Sequence, residues 1–311
     1  MTRGGSNIKG IGFLILGMLI ISLQSVAVKG LGGSYPVLEM VVLRNVVALP
    51  FTLLFFRYEG RRGLPTTKRF GLEFARGLFL FLSYTTFMMG LAALPLAEVE
   101  SIRLSGPIMI TLMSVFLLRE RVELGRWLAL FVGLLGVLLI VRPGSATFNI
   151  GSIFVLVSVF LYALIAITTR KLQATDSSAT MAFYSSLVYL AAAILLVPLT
   201  MAVGELPAAH PSIAFLFRGW TMPTLLDGLI MGGLGLVWAG WTYFMARAYS
   251  ITRASVLAPF EYLALPINAM WGFVIWREIP TWLTLAGAAL TLASGLFILS
   301  LDRRPRQAAS D

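Results

Sequence analysis

The chain has 311 residues, of which 58% are apolar and 12% charged, with a mean hydropathy of +0.88 and a formal net charge of +10. That charged fraction is about half the level of an average soluble domain, so the sequence describes an integral membrane protein, and the positive-inside rule explains the surplus of Lys and Arg better than nucleic-acid binding does. There is no cysteine, hence no disulfide or thiolate metal site, and no G-x-x-x-x-G-K-[ST] run to hold the phosphates of ATP.

A spanning helix takes about 20 mostly apolar residues. By that measure ten spans follow one another, at 11–31, 36–56, 71–93, 96–118, 124–142, 151–170, 178–203, 223–247, 253–276 and 280–301. Arg3 and Lys9 ahead of the first run resemble a signal peptide, but the run is long and a second follows closely, so it reads as a retained helix. Lys29 closes that span, where its ammonium is expected to snorkel to the interface. In the second span Glu39 precedes Arg44, and structural pairing of Arg44 with Glu39 or a lipid phosphate is expected, with a ligand role as the alternative. The third span carries Tyr84. The fourth opens with Glu98, Glu100 and Arg103 and continues through Pro107. Glu100 and Arg103 are three apart and so share a helical face, while Glu98 near the span's end suits an interfacial or capping role.

The fifth span is short, with Arg126 and Arg142 placed to reach the two interfaces. The sixth carries Tyr162. The connection 204–222, with Pro207, the one histidine His210, Pro211 and Arg218, reads as a surface loop. Glycines 228, 232, 233 and 235 would let the eighth span approach its neighbours, and Trp238, Trp241 and Tyr243 cluster further along it. The ninth holds Pro259, Glu261, Tyr262 and Pro266. The tenth presents Gly287, Thr291 and Gly295 as a small-xxx-small face, for packing within the monomer or for a homodimer seam. A polar tail, 302–311, ends the chain.

The stretches 104–144 and 265–300 repeat one pattern. Pro107 and Gly136 stand as far apart as Pro266 and Gly295, and Arg119-Glu120 and Arg277-Glu278 fall at matching places between them. The chain therefore reads as a duplication, with halves 1–144 and 145–311 of five helices each. Placing both termini in the cytoplasm puts there all of the 24 Lys and Arg except Lys29, Arg44, Arg103, Arg142, Arg218 and Arg277. An odd number of helices per half inverts the second half relative to the first. The expected fold is thus an all-α membrane protein of ten transmembrane helices in two inverted five-helix repeats, an arrangement that places a substrate near the midplane and supports alternating access. The Arg-Glu turns read as helix-end signals, with Glu120 and Glu278 favouring the dipole of the following helix.

YPVLEMVVLRN (35–45), LPLAEVESIRLSGP (94–107), the two Arg-Glu turns with their glycine-bearing helices, TDSSATMAFY (175–184) and LAPFEYLALP (257–266) resemble, in their order and spacing, the drug/metabolite transporter superfamily, in its ten-helix type with two EamA-like repeats. The resemblance covers about residues 11–301. It implies central packing of the first, third, fourth, sixth, eighth and ninth helices, with the fifth and tenth to the side. It also implies transport of a metabolite, with exporters of amino acids and importers of riboflavin or S-adenosylmethionine among the relatives.

Charges inside spans face a cavity or a partner. In the repeat alignment Glu261 falls opposite Ile102, beside Arg103. Arg103, Glu100 and Glu261, with Tyr262, are therefore the expected contacts for the charged ends of a zwitterionic substrate, and Trp238, Trp241, Tyr84 and Tyr162 for its rings or amine. A simple neutralising pair is the structural alternative for Glu100 and Arg103. A carboxyl desolvated without a partner holds its proton more tightly, so Glu100 or Glu261 could couple transport to protons. Pro107 and Pro266, read as mid-helix kinks, are the expected gating hinges. An intramembrane enzyme would need a nucleophile and base or a metal cluster, yet Asp227 is the one aspartate within a span and no histidine lies in any. The sequence thus predicts a non-enzymatic secondary transporter of an amino-acid-like metabolite, with riboflavin, S-adenosylmethionine or passive facilitation as alternatives. It would act without cofactor, metal or nucleic acid, as a monomer or homodimer in a bacterial-type inner membrane.

Overall fold

The computed structural model describes residues 3–31, 34–58, 63–118, 124–142, 148–172, 175–206, 210–251 and 263–303. Within them the chain forms α1 (Arg3–Leu31), α2 (Val37–Tyr58), α3 (Phe70–Leu91), α4 (Leu96–Arg103), α5 (Gly106–Leu118), α6 (Leu124–Val141), α7 (Gly151–Leu172), α8 (Ser178–Val203), α9 (Pro211–Phe217), α10 (Leu225–Ile251), α11 (Ala264–Trp276) and α12 (Trp282–Arg303), and no strand. A backbone without water must satisfy its polar groups internally, and long apolar runs do so as helices. Among the described residues six helices are long and apolar enough to cross a membrane: α1, α2, α3, α7, α8 and α10. Exposed Leu and Phe side chains along α6 and α8, such as Leu128, Phe131, Leu195 and Leu199, give the outer surface an apolar character suited to hydrocarbon.

Three expected elements take a different form. The fourth span is interrupted: α4 ends at Arg103, and α5 begins at Gly106. Residue 107 is proline and offers no N–H to the Arg103 carbonyl. The chain tightens there instead, with Ser105 N and Oγ both donating to the Ile102 carbonyl at 3.0 and 2.6 Å. Pro107 and Pro266 thus stand in the first turns of α5 and α11 rather than mid-helix, where a missing N–H removes no intrahelical bond. The 204–222 connection is not all loop, because Pro211 and the ring of His210, which accepts from Ser212 N at 3.3 Å, start α9 and bury Phe215.

The helices pack α3 on α7 and α1 on α10, α2 on α10 and α8 on α3, α2 on α8, and α6 on α12. Two close approaches require glycine. A Cβ on Gly235 would lie 2.5 Å from the Arg44 carbonyl oxygen of α2, whereas Gly228, Gly232 and Gly233 meet nothing so near. Between α6 and α12, a Cβ on Gly287 would lie 2.5 Å from the carbonyl oxygen of Gly136, so the two backbones touch. The small-residue face of α12 therefore packs inside the chain. Ser294 Oγ reinforces the seam with a bond to the Ala129 carbonyl.

Candidate functional site

A cavity of about 160 Å³ lies among α1, α3, α4, α5, α7, α10 and α11. Among the described residues, its lining draws none from α2, α6, α8 or α12. Glu100 and Arg103 stand on one wall as the i, i+3 spacing predicts, with Arg103 Nη1 donating to Glu100 Oε1 at 2.8 Å. The Glu100 side chain is buried while that of Arg103 is 41% exposed, its guanidinium 5.0 Å from the Phe87 ring centre. Trp238 and Trp241 from α10, Tyr84 from α3 and Tyr162 from α7 line the same chamber. Trp238 lies 5.1 Å from Trp241 and 5.2 Å from Tyr84, centre to centre.

Six residues expected from the sequence thus meet around one space. Glu261 and Tyr262 lie outside the described residues, as do Glu120 and Pro259. Tyr243 turns away and stacks on Phe55 of α2 at 4.5 Å. Sequence reasoning passed over Gln24 and Asn268, both in the lining. Asn268 Nδ2 bonds the Ala264 carbonyl at 3.0 Å, while its buried Oδ1 has no partner. An amide within an apolar run was the available signal for both.

Two basic residues depart from expectation. Arg44 is fully buried and pairs with neither Glu39 nor a surface phosphate. Glu39 accepts instead from Thr221 N at 3.3 Å. The Arg44 guanidinium carbon lies 4.1 Å from the ring centre of Tyr84, 4.2 Å from Trp238 and 5.0 Å from Tyr189, and Nη1 reaches Gln24 Oε1 at 3.5 Å. Lys29 does not simply snorkel. It forms an ion pair with Glu278, donates to the Leu94 carbonyl at 3.3 Å and sits over Trp276.

Arg277 explains how Glu278 gets there. It caps α11 in the left-handed region at φ 57°, and Glu278 N bonds back to the Gly272 carbonyl at 3.2 Å. The reversal carries the Glu278 carboxylate to Leu96 N at 3.0 Å. It therefore favours the dipole of α4, not that of α12 as the sequence suggested. A second hollow of about 440 Å³ opens at this end, lined by Lys29, Pro95, Arg218 and Glu278 among others. Near it Tyr35 donates to Asp227 Oδ2 at 2.7 Å, and that bond to a carboxylate raises the phenol's pKa. Asp227 is thereby committed to holding α10 against the start of α2.

The sequence model of the EamA-like transporter family matches residues 8–142 and again 149–300. The chain is 28% identical to an S-adenosylmethionine uptake transporter of Rickettsia bellii, over 95% of this chain and 94% of that one. It is 25% identical to a riboflavin transporter of Vibrio cholerae, over 86% and 85%, and 27% identical to the pseudopaline exporter CntI of Pseudomonas aeruginosa, over 92% and 94%. A crystal structure at 18% identity shares the fold with a TM-score of 0.63, over 99% of this chain and 100% of that chain.

Proposed function

Because this chain belongs to the EamA-like transporter family, we propose that it is a secondary active transporter, moving a small metabolite with an amino-acid-type head group across a bacterial-type inner membrane by alternating access. It is a multi-pass membrane protein whose relatives carry small metabolites. The observation that carries the finer reading is the single chamber in which Glu100, Arg103 and the Tyr84–Trp238–Trp241 wall meet. In the empty protein the two charges satisfy each other. A zwitterion can exchange that pair for two of its own, its carboxylate on the more exposed Arg103 and its ammonium on Glu100, so neither charge is left bare in a low dielectric. The electron-rich ring faces suit an amine or sulfonium beside them.

Volume orders the candidates. Drug-sized ligands occupy pockets of roughly 300 Å³ and more, so a single amino acid suits the present cavity of about 160 Å³, and S-adenosylmethionine requires it to widen. The packing supports two inverted halves, 1–144 and 145–311. Matching α1, α2 and α3 with α7, α8 and α10 exchanges the α3–α7 contact with α10–α1, and α2–α10 with α8–α3. The distribution of Lys and Arg favours cytoplasmic termini, and Glu100 or Glu261 would carry a coupling proton.

The test is uptake into proteoliposomes under an imposed pH gradient, with labelled amino acids, S-adenosylmethionine and riboflavin in parallel. We expect saturable, gradient-dependent uptake of a solute bearing the zwitterionic head group, reduced at least tenfold by Arg103→Ala and by Glu261→Gln. Uptake of riboflavin alone would replace the zwitterion by a flat ring stacked on Trp238 and Trp241. Flux indifferent to the gradient would replace coupled transport by facilitation.

A further inference from the structure

We propose that Arg44 is an anion anchor: the edge of its buried guanidinium, behind Gln24 and the Tyr84–Trp238 wall, is a binding site for a carboxylate. On the transport reading above, from which the identity of its natural ligand follows, this is the carboxylate of the carried solute, which meets Arg103 at the cavity wall first and Arg44 behind it second.

The argument begins with what Arg44 lacks. An arginine cannot shed its charge, and one inside a membrane span is expected to have a counter-ion. Arg44 is wholly buried, yet no carboxylate among the described residues lies within ion-pair distance. The rings of Tyr84, Trp238 and Tyr189 surround the guanidinium carbon at 4.1–5.0 Å. Ring faces attract the cation but accept none of its in-plane N–H groups. Nη1 has the long bond to Gln24, while Nε and Nη2 have no hydrogen-bond partner among the described residues. Those two nitrogens form one side of the guanidinium, and their parallel N–H groups match the two oxygens of a carboxylate. The buried hydroxyls of Tyr84 and Tyr189, on rings that pack against Arg44, stand close to the guanidinium yet make no hydrogen bond of proper geometry among the described residues. Unmet donors at one point, with no acceptor for them among the described residues, suit an acceptor brought by a ligand.

The route is one side chain thick. Gln24, Tyr84 and Trp238 each touch Arg44 and each line the central cavity. Gln24 Oε1 engages Nη1 alone, so the amide stands beside the open Nε–Nη2 edge and leaves it for the carboxylate. Glu100, across the same cavity and paired with Arg103, can exchange that partner for a cationic end of the ligand. The chamber then has opposite charges anchored on α2 and α4.

The experiment is thermal unfolding of the purified, detergent-solubilised protein in sodium formate or sodium chloride at equal ionic strength. Formate is expected to raise Tm above its value in chloride. Gln24→Glu gives Arg44 a resident carboxylate, so it should raise Tm without formate and abolish the formate shift. Arg44→Lys, which keeps the charge but loses the fork, should weaken the shift. No difference between formate and chloride in the unmodified protein overturns the proposal, as does a Gln24→Glu variant that retains the shift. Uptake assays run alongside separate the two readings. A formate shift without zwitterion uptake sinks the transport proposal and leaves the anion site, whereas zwitterion uptake without the shift does the reverse.

Discussion

Glu100 and Arg103 illustrate how a residue's cost decides its test. Removing Arg103 leaves Glu100 buried without its partner, a loss of about 3–5 kcal/mol where both groups are fully buried. Arg103 is 41% exposed, so water screens the pair and we expect Arg103→Ala to cost about 1–2 kcal/mol. The double variant Glu100→Gln/Arg103→Gln leaves no charge stranded. It should unfold near the wild-type temperature and still fail to transport, which a purely structural pair would not do. The pair itself was legible in the sequence, since three-residue spacing on a helix fixes adjacency. So was the aromatic set, because Tyr84, Tyr162, Trp238 and Trp241 fall within apolar runs on central helices. The Arg44 cage was not legible. Tyr84, Tyr189 and Trp238 come from α3, α8 and α10, and no local spacing records that three distant helices close on a fourth.

At the level of the helix, close approach separates glycines that composition makes look alike. Gly235 faces the α2 backbone at Arg44 and the Val47 side chain, whereas a Cβ on Gly233 would meet nothing within 4 Å. Gly235→Ala should therefore push α10 from α2, displace Trp238 one turn away and cost about 1–3 kcal/mol. Gly233→Ala should be neutral or stabilising by up to about 1 kcal/mol. Circular dichroism melts of the two variants decide it, and equal melts would show that α10 has slack against α2. The first-turn positions of Pro107 and Pro266 likewise move the hinge hypothesis. On the gating proposal, bending would fall at the Leu104–Ser105 break rather than within a kinked helix, so Pro107→Ala should lower transport less than a change that straightens the break. Unaltered rates with both Pro107→Ala and Pro266→Ala would remove the hinge role altogether. Proline spacing gave the equivalence of the two sites. It could not give the break, where the chain tightens as Ser105 bonds back to the Ile102 carbonyl.

For the whole molecule, the Lys29–Glu278 contact ties the end of α1 to the turn after α11 and, through Leu96 N, to the start of α4. That end should open when the tie is cut. The chain has no native cysteine, so Met88→Cys, in the lining of the second hollow, would be the sole thiol. It should react with a membrane-impermeant maleimide several-fold faster in a Glu278→Gln background than alone. An unchanged rate would mean that other contacts keep this end shut.

The seam between α6 and α12 has a mechanical consequence. Backbones in contact at Gly136 and Gly287 leave no side-chain layer to shear at that point, and among the described residues neither helix lines the cavity. Sliding along such a seam drives carbonyl into carbonyl, while rolling about it costs little. On the alternating-access proposal, the seam is then the fulcrum of the molecule, and the chamber, set to one side of it, is the end of the lever that would travel. Paired spin labels should keep one fixed separation across α6 and α12 while those across α3 and α10 divide into two populations. A separation across the seam that varies as much as the one across the chamber would assign the pivot elsewhere.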